Sequence, residues 1–300
     1  MLTTIRQTLS HALLALTCVT RASVDTPSPS ILYSETAFEP PTNTVANYPT
    51  ETPFTSLVFT NPTCPAQTSP ARKRGLAFNQ ASLTTDFGGP DSLVSWAYNW
   101  DQSCEPLGLE YVPMIWSLAS NLIATWNVNA EAAIGTGSKH LLSFNEPDLS
   151  TQSNISPSDA AAGYKRYMQP FAGKAELGAP AVTNGKAPMG LTWLSSFLDE
   201  CSECTIDFVP IHWYDTSANI EYFMSYVASA HAAAGYRPIW VTEFAVSGSV
   251  DQQKDFLRAV MPWLDSLDYV ERYAYFGVFD GSLVNGNSKS ALGDIFDTGR

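Results

Sequence analysis

Eight short β-rich runs recur after Gly75, each followed by a polar or helix-forming stretch with turn signals, and this alternation constrains the fold more than any other feature. The runs are Gly75 to Asn79, Val94 to Trp100, Tyr111 to Trp116, His140 to Asn145, Leu177 to Val182, Asp207 to Tyr214, Pro238 to Phe244 and Arg272 to Phe279. Helices are predicted between several of them. One covers Ser158 to Phe171, opened by Ser156-Pro157 with Asp159 in its first turn; another covers Asn219 to Ala234, closed by Gly235. Strands that alternate with helices pair in parallel through right-handed crossovers, so eight such units predict an α/β fold of the (β/α)8 TIM barrel type over residues 75–300. No internal repeat of solenoid or propeller length stands out.

Upstream of the barrel the chain changes character. Residues 1–22 have the layout of a signal peptide: Arg6, an apolar run from Ala12 to Val19, then Ala22 and Ser23. Residues 23–74 read as a Ser/Thr/Pro-rich stalk or pro-segment, a disordered stretch whose composition cannot bury enough apolar surface to offset its ordering entropy. It ends at Arg72-Lys73-Arg74, which is either a dibasic processing site or a solvated strand start. Export would put Cys64, Cys104, Cys201 and Cys204 in an oxidising compartment. Cys201-x-x-Cys204 is better read as a local disulfide than as half a zinc site, because no second Cys or His pair has matching spacing, and Cys64 with Cys104 is then the remaining option. Asn154-Ile155-Ser156 is a glycosylation sequon.

Of the 300 residues, 16 are Lys or Arg and 29 are Asp or Glu, a net charge of −13. That balance argues against nucleic acid and against anionic membrane surfaces, both of which need a basic footprint. No later segment reaches the ~18 apolar residues of a membrane span, so the mature protein is expected to be soluble, not membrane-inserted, and monomeric. A neutral partner is the simplest reading.

Chemistry in a barrel of this type sits where strands end and loops begin. The fourth run ends Ser143-Phe144-Asn145-Glu146-Pro147-Asp148, and the seventh reads Ile239-Trp240-Val241-Thr242-Glu243-Phe244. A glutamate in an apolar strand is costly to bury without partners or a task, and neither motif carries a nearby base. Glu146 and Glu243 therefore make a candidate carboxylate pair, as glycoside hydrolysis requires: one carboxyl protonates the leaving oxygen while the other attacks the anomeric carbon or activates water. Period-two alternation puts His212 and Tyr214 on one face and Trp213 on the other. Facing inward, the imidazole and hydroxyl could orient the carboxylates. Trp100 and Trp116 at strand ends could stack on sugar rings. No nucleophile elbow, Walker loop, dinucleotide fingerprint or His-Glu-x-x-His occurs, so no cofactor and no metal are called for.

The ordered set Arg74-Gly75-Leu76-Ala77-Phe78-Asn79, Tyr98-Asn99-Trp100, Val112-Pro113-Met114-Ile115-Trp116, Phe144-Asn145-Glu146-Pro147-Asp148, Ile206 to Tyr214 and Trp240-Val241-Thr242-Glu243-Phe244 resembles glycoside hydrolase family 128, of clan A. That family includes fungal alkali-sensitive linkage proteins of the cell wall and endo-β-1,3-glucanases. The resemblance implies a secreted, retaining endo-β-1,3-glucanase of β-glucan polysaccharide or oligosaccharide, with Glu146 as acid/base and Glu243 as nucleophile. It implies Asn145, His212 and Tyr214 around them, and sugar-binding roles for Asn79, Trp100, Trp116, Trp213 and Phe276. Phe276 lies in a last strand that lacks the tryptophan common in the wider clan. Trp100 and Trp116 on one side of the barrel mouth, with Trp213 and Tyr214 on the other, would suit the curved β-1,3-linked chain. The competing readings are a non-catalytic glucan-binding wall protein and a β-1,4- or β-1,6-glycanase.

Overall fold

The computed structural model describes residues 72–299. The signal peptide, Cys64 and all but the last residues of the stalk lie outside the described residues. Eight strands form the barrel: β1 (Arg74–Phe78), β2 (Val94–Tyr98), β3 (Glu110–Tyr111), β4 (His140–Leu141), β5 (Glu176–Leu177), β6 (Val209–Thr216), β7 (Ile239–Ser247) and β8 (Val270–Val278). Six run side by side in the order β3-β2-β1-β8-β7-β6, and β4 pairs with β5. All of these pairings are parallel. Single parallel bridges close the ring, Met114 to Leu142 between the third and fourth strand segments and Gly178 to Phe208 between the fifth and sixth.

Six α-helices cover the outside: α1 (Ser120–Gly135), α2 (Pro157–Tyr167), α3 (Leu191–Glu200), α4 (Ile220–Ala233), α5 (Val250–Ser266) and α6 (Ala291–Thr298). The first two crossovers are the exception to the eight-unit expectation. A 3-10 turn at Ala81–Thr84 follows β1, and no helix follows β2. Helix starts follow local chemistry. Ser156 accepts from the Asp159 amide with Pro157 at the first helical position, and Ser249 and Gln252 form a capping box at the start of α5. These caps satisfy backbone donors that have no partner within the helix.

Two apolar layers result. The larger lies between strands and helices; the smaller fills the barrel with Ala77, Trp96, Tyr98, Val112, Met114, Leu142, Phe208, Trp240 and Ala274. Gly75 is dictated by this filling, because a Cβ there would stand 2.1 Å from the indole of Trp96. Two residues of the basic cluster are tied into the barrel: Arg74 is buried, not solvated, and bonds Tyr273 and the Phe296 carbonyl, while Lys73 reaches the Leu264 and Leu267 carbonyls at the end of α5. Cys201 and Cys204 are joined by a disulfide just after α3, so neither thiolate is available to a metal. Cys104 is free. No helix of the described residues is long and apolar enough to cross a membrane.

Candidate active site

The barrel interior is stacked in layers. At its N-terminal end, Arg272, Glu110 and His140 sit with Trp96 and Trp240; the C-terminal mouth carries Glu146, Glu243, Trp100, Trp116, Tyr214 and Phe276. Two backbone devices aim the glutamates. Along β7, residues 240 and 242 face inward and 241 and 244 face the helices, so strict alternation would send Glu243 outward. The register against β6 jumps from Ile211–Val241 to His212–Glu243, and that against β8 from Val241–Tyr273 to Phe244–Tyr275. This is one extra residue, a β-bulge, and it turns both Thr242 and Glu243 into the barrel. Glu146 follows β4 with a left-handed φ of 41°, a conformation costing a non-glycine residue about 1–3 kcal/mol. Its amide bonds the Ala181 carbonyl at 2.8 Å and its carbonyl accepts from Leu149 at 3.1 Å, and these bonds hold the turn in place. Asp148 braces the same loop, accepting from the Thr183 hydroxyl at 2.6 Å and the Gly190 amide at 2.8 Å.

The side chains converge on one hydrogen-bonded cluster. His212 Nδ1 is 2.8 Å from Glu146 Oε1 and 3.5 Å from Glu243 Oε2, and its Nε2 is 3.0 Å from Thr242 Oγ1. Tyr214 donates its hydroxyl to Glu243 Oε2 at 2.5 Å, and Trp100 donates its indole N–H to Glu243 Oε1 at 2.6 Å. The Tyr98 hydroxyl donates to the Thr242 carbonyl at 2.9 Å and also approaches Glu243 Oε1. One oxygen from each carboxylate and one His212 nitrogen lie within 4.8 Å of one another. Both imidazole nitrogens already have protein partners, which leaves no lone pair on His212 for a cation.

Burial drives the Glu243 carboxyl above its ordinary range; the His212 charge and the Tyr214 and Trp100 donors pull it down, Glu146 adds upward pressure, and the net is upward. For His212, burial disfavours the imidazolium, but Glu243 and Glu146 favour it more strongly and the net is also upward. Burial and the same carboxylates keep Tyr98 and Tyr214 protonated, so both act as donors.

Of the residues picked from sequence, Glu146, Glu243, His212, Tyr214 and Trp100 belong to this cluster. Trp100, also left-handed at φ 58°, grips the carboxylate while its ring packs against Phe276 and Phe279. Phe276 stands between Trp100 and Tyr214, 5.6 Å from each ring centroid. Asn145 is buried beside Glu146 with Oδ1 unpartnered, and half-buried Trp116 packs on the inner core. Asn79 touches neither glutamate: it is exposed at the end of β1, lining a hollow of about 330 Å³ with Phe279, Asp280 and Asn287. Trp213 is corrected. It is fully buried on the helix side of β6, stacked on Phe256 with centroids 5.8 Å apart, because strand alternation points it away from its neighbours His212 and Tyr214. It cannot meet a sugar, and only Tyr214 and Phe276 remain on that side of the mouth. Sequence reasoning missed Tyr98 and Thr242; the only signal for Tyr98 was its place beside Trp100 at the end of a strand.

A pair of carboxylates at the mouth of a parallel barrel is what glycoside hydrolysis requires, and the chain matches the glycosyl hydrolase catalytic core family over residues 75–297. The chain belongs to that family, and within it to glycoside hydrolase family 128. A family 128 subgroup III curdlan-specific exo-β-1,3-glucanase from Blastomyces gilchristii, solved with glucose, is 46% identical, covering 77% of this chain and all of that one, with a TM-score of 0.72. A subgroup I endo-β-1,3-glucanase variant from Amycolatopsis mediterranei, solved with laminarihexaose, is 31% identical over 75% of this chain and 98% of that one, at 0.62. Alkali-sensitive linkage protein 1 of Schizosaccharomyces pombe is 32% identical over 220 residues, 68% of this chain and 38% of its own length.

The donors around Glu243 give a pH prediction. If hydrolysis uses the ionised form of Glu243, the rate should fall as pH drops through its raised pKa, and the acid limb of kcat/KM should lie above the ordinary glutamate range near 4.3. Trp100→Phe and Tyr214→Phe each remove a donor that favours the anion. Both variants should move that limb further upward and lower kcat roughly tenfold to a hundredfold. A limb unmoved or moved downward in both would show that Glu243 is not the group titrating.

Proposed function

We propose that the protein is an exported, retaining β-1,3-glucanase that cleaves β-glucan by double displacement, with Glu146 as acid/base and Glu243 as nucleophile. The observation that carries the reading is the short spacing of the two carboxylates, whose oxygens come within 4.8 Å. Retaining glycosidases hold their carboxyls about 5–5.5 Å apart, and inverting ones leave a wider gap for water. Tyr214 and Trp100 suit Glu243 to the nucleophile's role, because two donors fix the carboxylate in one orientation. The linkage reading leans on the relatives, which are named as β-1,3-glucanases. The Cys201–Cys204 disulfide suits the oxidising compartment expected from residues 1–22.

Endo cutting was the expectation from sequence. An exo mode is the second reading, favoured by the 46% identity to an exo-acting enzyme. Reducing-sugar release from laminarin and curdlan, with little from carboxymethylcellulose or xylan, is the expected result, and comparable rates on a β-1,4-glucan would overturn the linkage. Proton NMR of fresh product should show the β-anomer first; initial α-anomer would overturn retention. Time-resolved products of laminarihexaose separate the modes, since exo action releases one small sugar from the start and endo action a spread of lengths.

A further inference from the structure

Among the described residues, His212 is the one side chain that touches both carboxylates, and its Nδ1 can serve them in two ways. It can carry hydrogen and donate to Glu146, or it can offer a lone pair and draw a Glu146 proton onto Oε1, away from any sugar. The choice is made at the other nitrogen, by Thr242. The Thr242 side chain is fully buried, and His212 Nε2 at 3.0 Å is the sole hydrogen-bond partner of its hydroxyl among the described residues. If Nε2 carried hydrogen, the hydroxyl would accept it and its own hydrogen would stay buried without an acceptor. If Nε2 carries the lone pair, the hydroxyl donates and every polar group is paired.

We propose that Thr242 is a positioning residue whose hydroxyl holds His212 as the neutral tautomer with hydrogen on Nδ1, leaving the Glu146 proton free on the oxygen that faces substrate. The proposal rests on the acid/base role given to Glu146 above. The other charged or titratable groups around the imidazole are Glu146 and Asp148 from the loop after β4, Glu243 on β7, and the tyrosines Tyr98 and Tyr214. The carboxylates favour an imidazolium, the direction in which the His212 pKa is raised, but a ring with hydrogen on both nitrogens would leave the Thr242 hydroxyl hydrogen buried without an acceptor. The uncharged Thr242 donor opposes that state.

The proton balance follows. In the first step the Glu146 Oε2–H bond breaks and a bond from that hydrogen to the glycosidic oxygen forms. The anomeric carbon–oxygen bond breaks as a bond to a Glu243 oxygen forms. One carboxylate charge is lost at Glu243 and one appears at Glu146, where Nδ1–H already points. Water reverses both changes in the second step, and no proton passes through His212.

The test is nitrogen-15 NMR of histidine-labelled full-length protein near its pH of maximum activity, with the His212 signals assigned by their loss in His212→Gln. Wild type should show a protonated Nδ1 and an unprotonated Nε2. Thr242→Ser should keep that pattern and most of kcat. Thr242→Val should lose the preference and lower kcat about tenfold to a hundredfold with KM little changed. A doubly protonated ring or an Nε2–H tautomer in wild type overturns the proposal even if the valine variant fails to fold. So does a valine variant with wild-type kcat and wild-type nitrogen shifts. If wild type shows the expected tautomer but no glucan turnover, the functional reading fails and the tautomer assignment stands.

Discussion

Glu243→Gly should lower kcat on laminarin by about a thousandfold or more, because under the proposed double displacement it removes the group that forms the covalent bond and the negative charge facing the anomeric carbon. Azide should then separate the roles of the two carboxylates. With an activated aryl β-laminaribioside, azide fills the space left by Glu243, attacks from the α face and yields an α-glycosyl azide. Glu146→Ala should lose a roughly hundredfold to ten-thousandfold contribution on laminarin. It should still form the glycosyl-enzyme from the activated substrate, whose leaving group needs no protonation. Azide entering from the side that Glu146 occupied then gives the β-azide. The expected pattern is α from one variant and β from the other. The reverse pattern exchanges the roles, and a Glu146→Gln enzyme within a few-fold of wild type on laminarin refutes the acid/base assignment.

What could be read from sequence followed from periodicity. All eight predicted runs became strands of the ring, and the predicted helices Ser158 to Phe171 and Asn219 to Ala234 appear as α2 and α4 with the caps their sequences announce. The two glutamates stood out because a carboxylate in an apolar run is rare. Thr242 did not, since a threonine in a strand is ordinary. Its role depends on a bulge, visible only as a register jump against both neighbouring strands, that turns two consecutive side chains inward. Trp213 shows the opposite error: alternation already placed it opposite His212, yet its position at a strand end suggested a sugar platform. Trp100 reads from sequence as a platform, and the structure adds a contact that sequence does not show, its indole N–H on Glu243.

The second large effect lies at the opposite end of the barrel. Arg272 projects from β8 into the interior, 2.6 Å from Glu110 Oε2, with its guanidinium 4.5 Å from the Trp240 ring centroid and 5.5 Å from that of Trp96. Glu110 also meets His140 Nδ1 at 2.7 Å, and His140 Nε2 meets Glu176 at 3.2 Å. Sequence gave no hint of this chain, because its members come from four strands. Burial alone would push the Glu110 carboxyl up, yet His140 and Arg272 outweigh it and hold the pKa at about 2. Near the chemistry the barrel spends polar groups on catalysis; here they fix strand register in a layer that also holds two indoles.

Arg272→Met keeps the length of the side chain and removes the charge, which leaves the largely buried Glu110 carboxylate with His140 and the Lys139 amide but no fixed cation. Breaking one partner out of a buried pair costs about 3–5 kcal/mol. In a barrel of this size that is a fall in Tm on the order of 10 °C at neutral pH. The pH dependence has a definite sign. The folded pKa of Glu110 lies below its unfolded value, so its contribution is complete above roughly pH 4.3 and is lost as pH falls towards about 2. Wild type should therefore lose stability across that acid window. Arg272→Met should lose less there, because the folded carboxyl of Glu110 is then held down by His140 without the help of Arg272, and adding Glu110→Gln should restore much of the neutral-pH Tm. Calorimetry at pH 7 and pH 3 checks both. An Arg272→Met protein within 1–2 °C of wild type at pH 7 would mean that aromatic packing, not the ion pair, holds this end of the barrel.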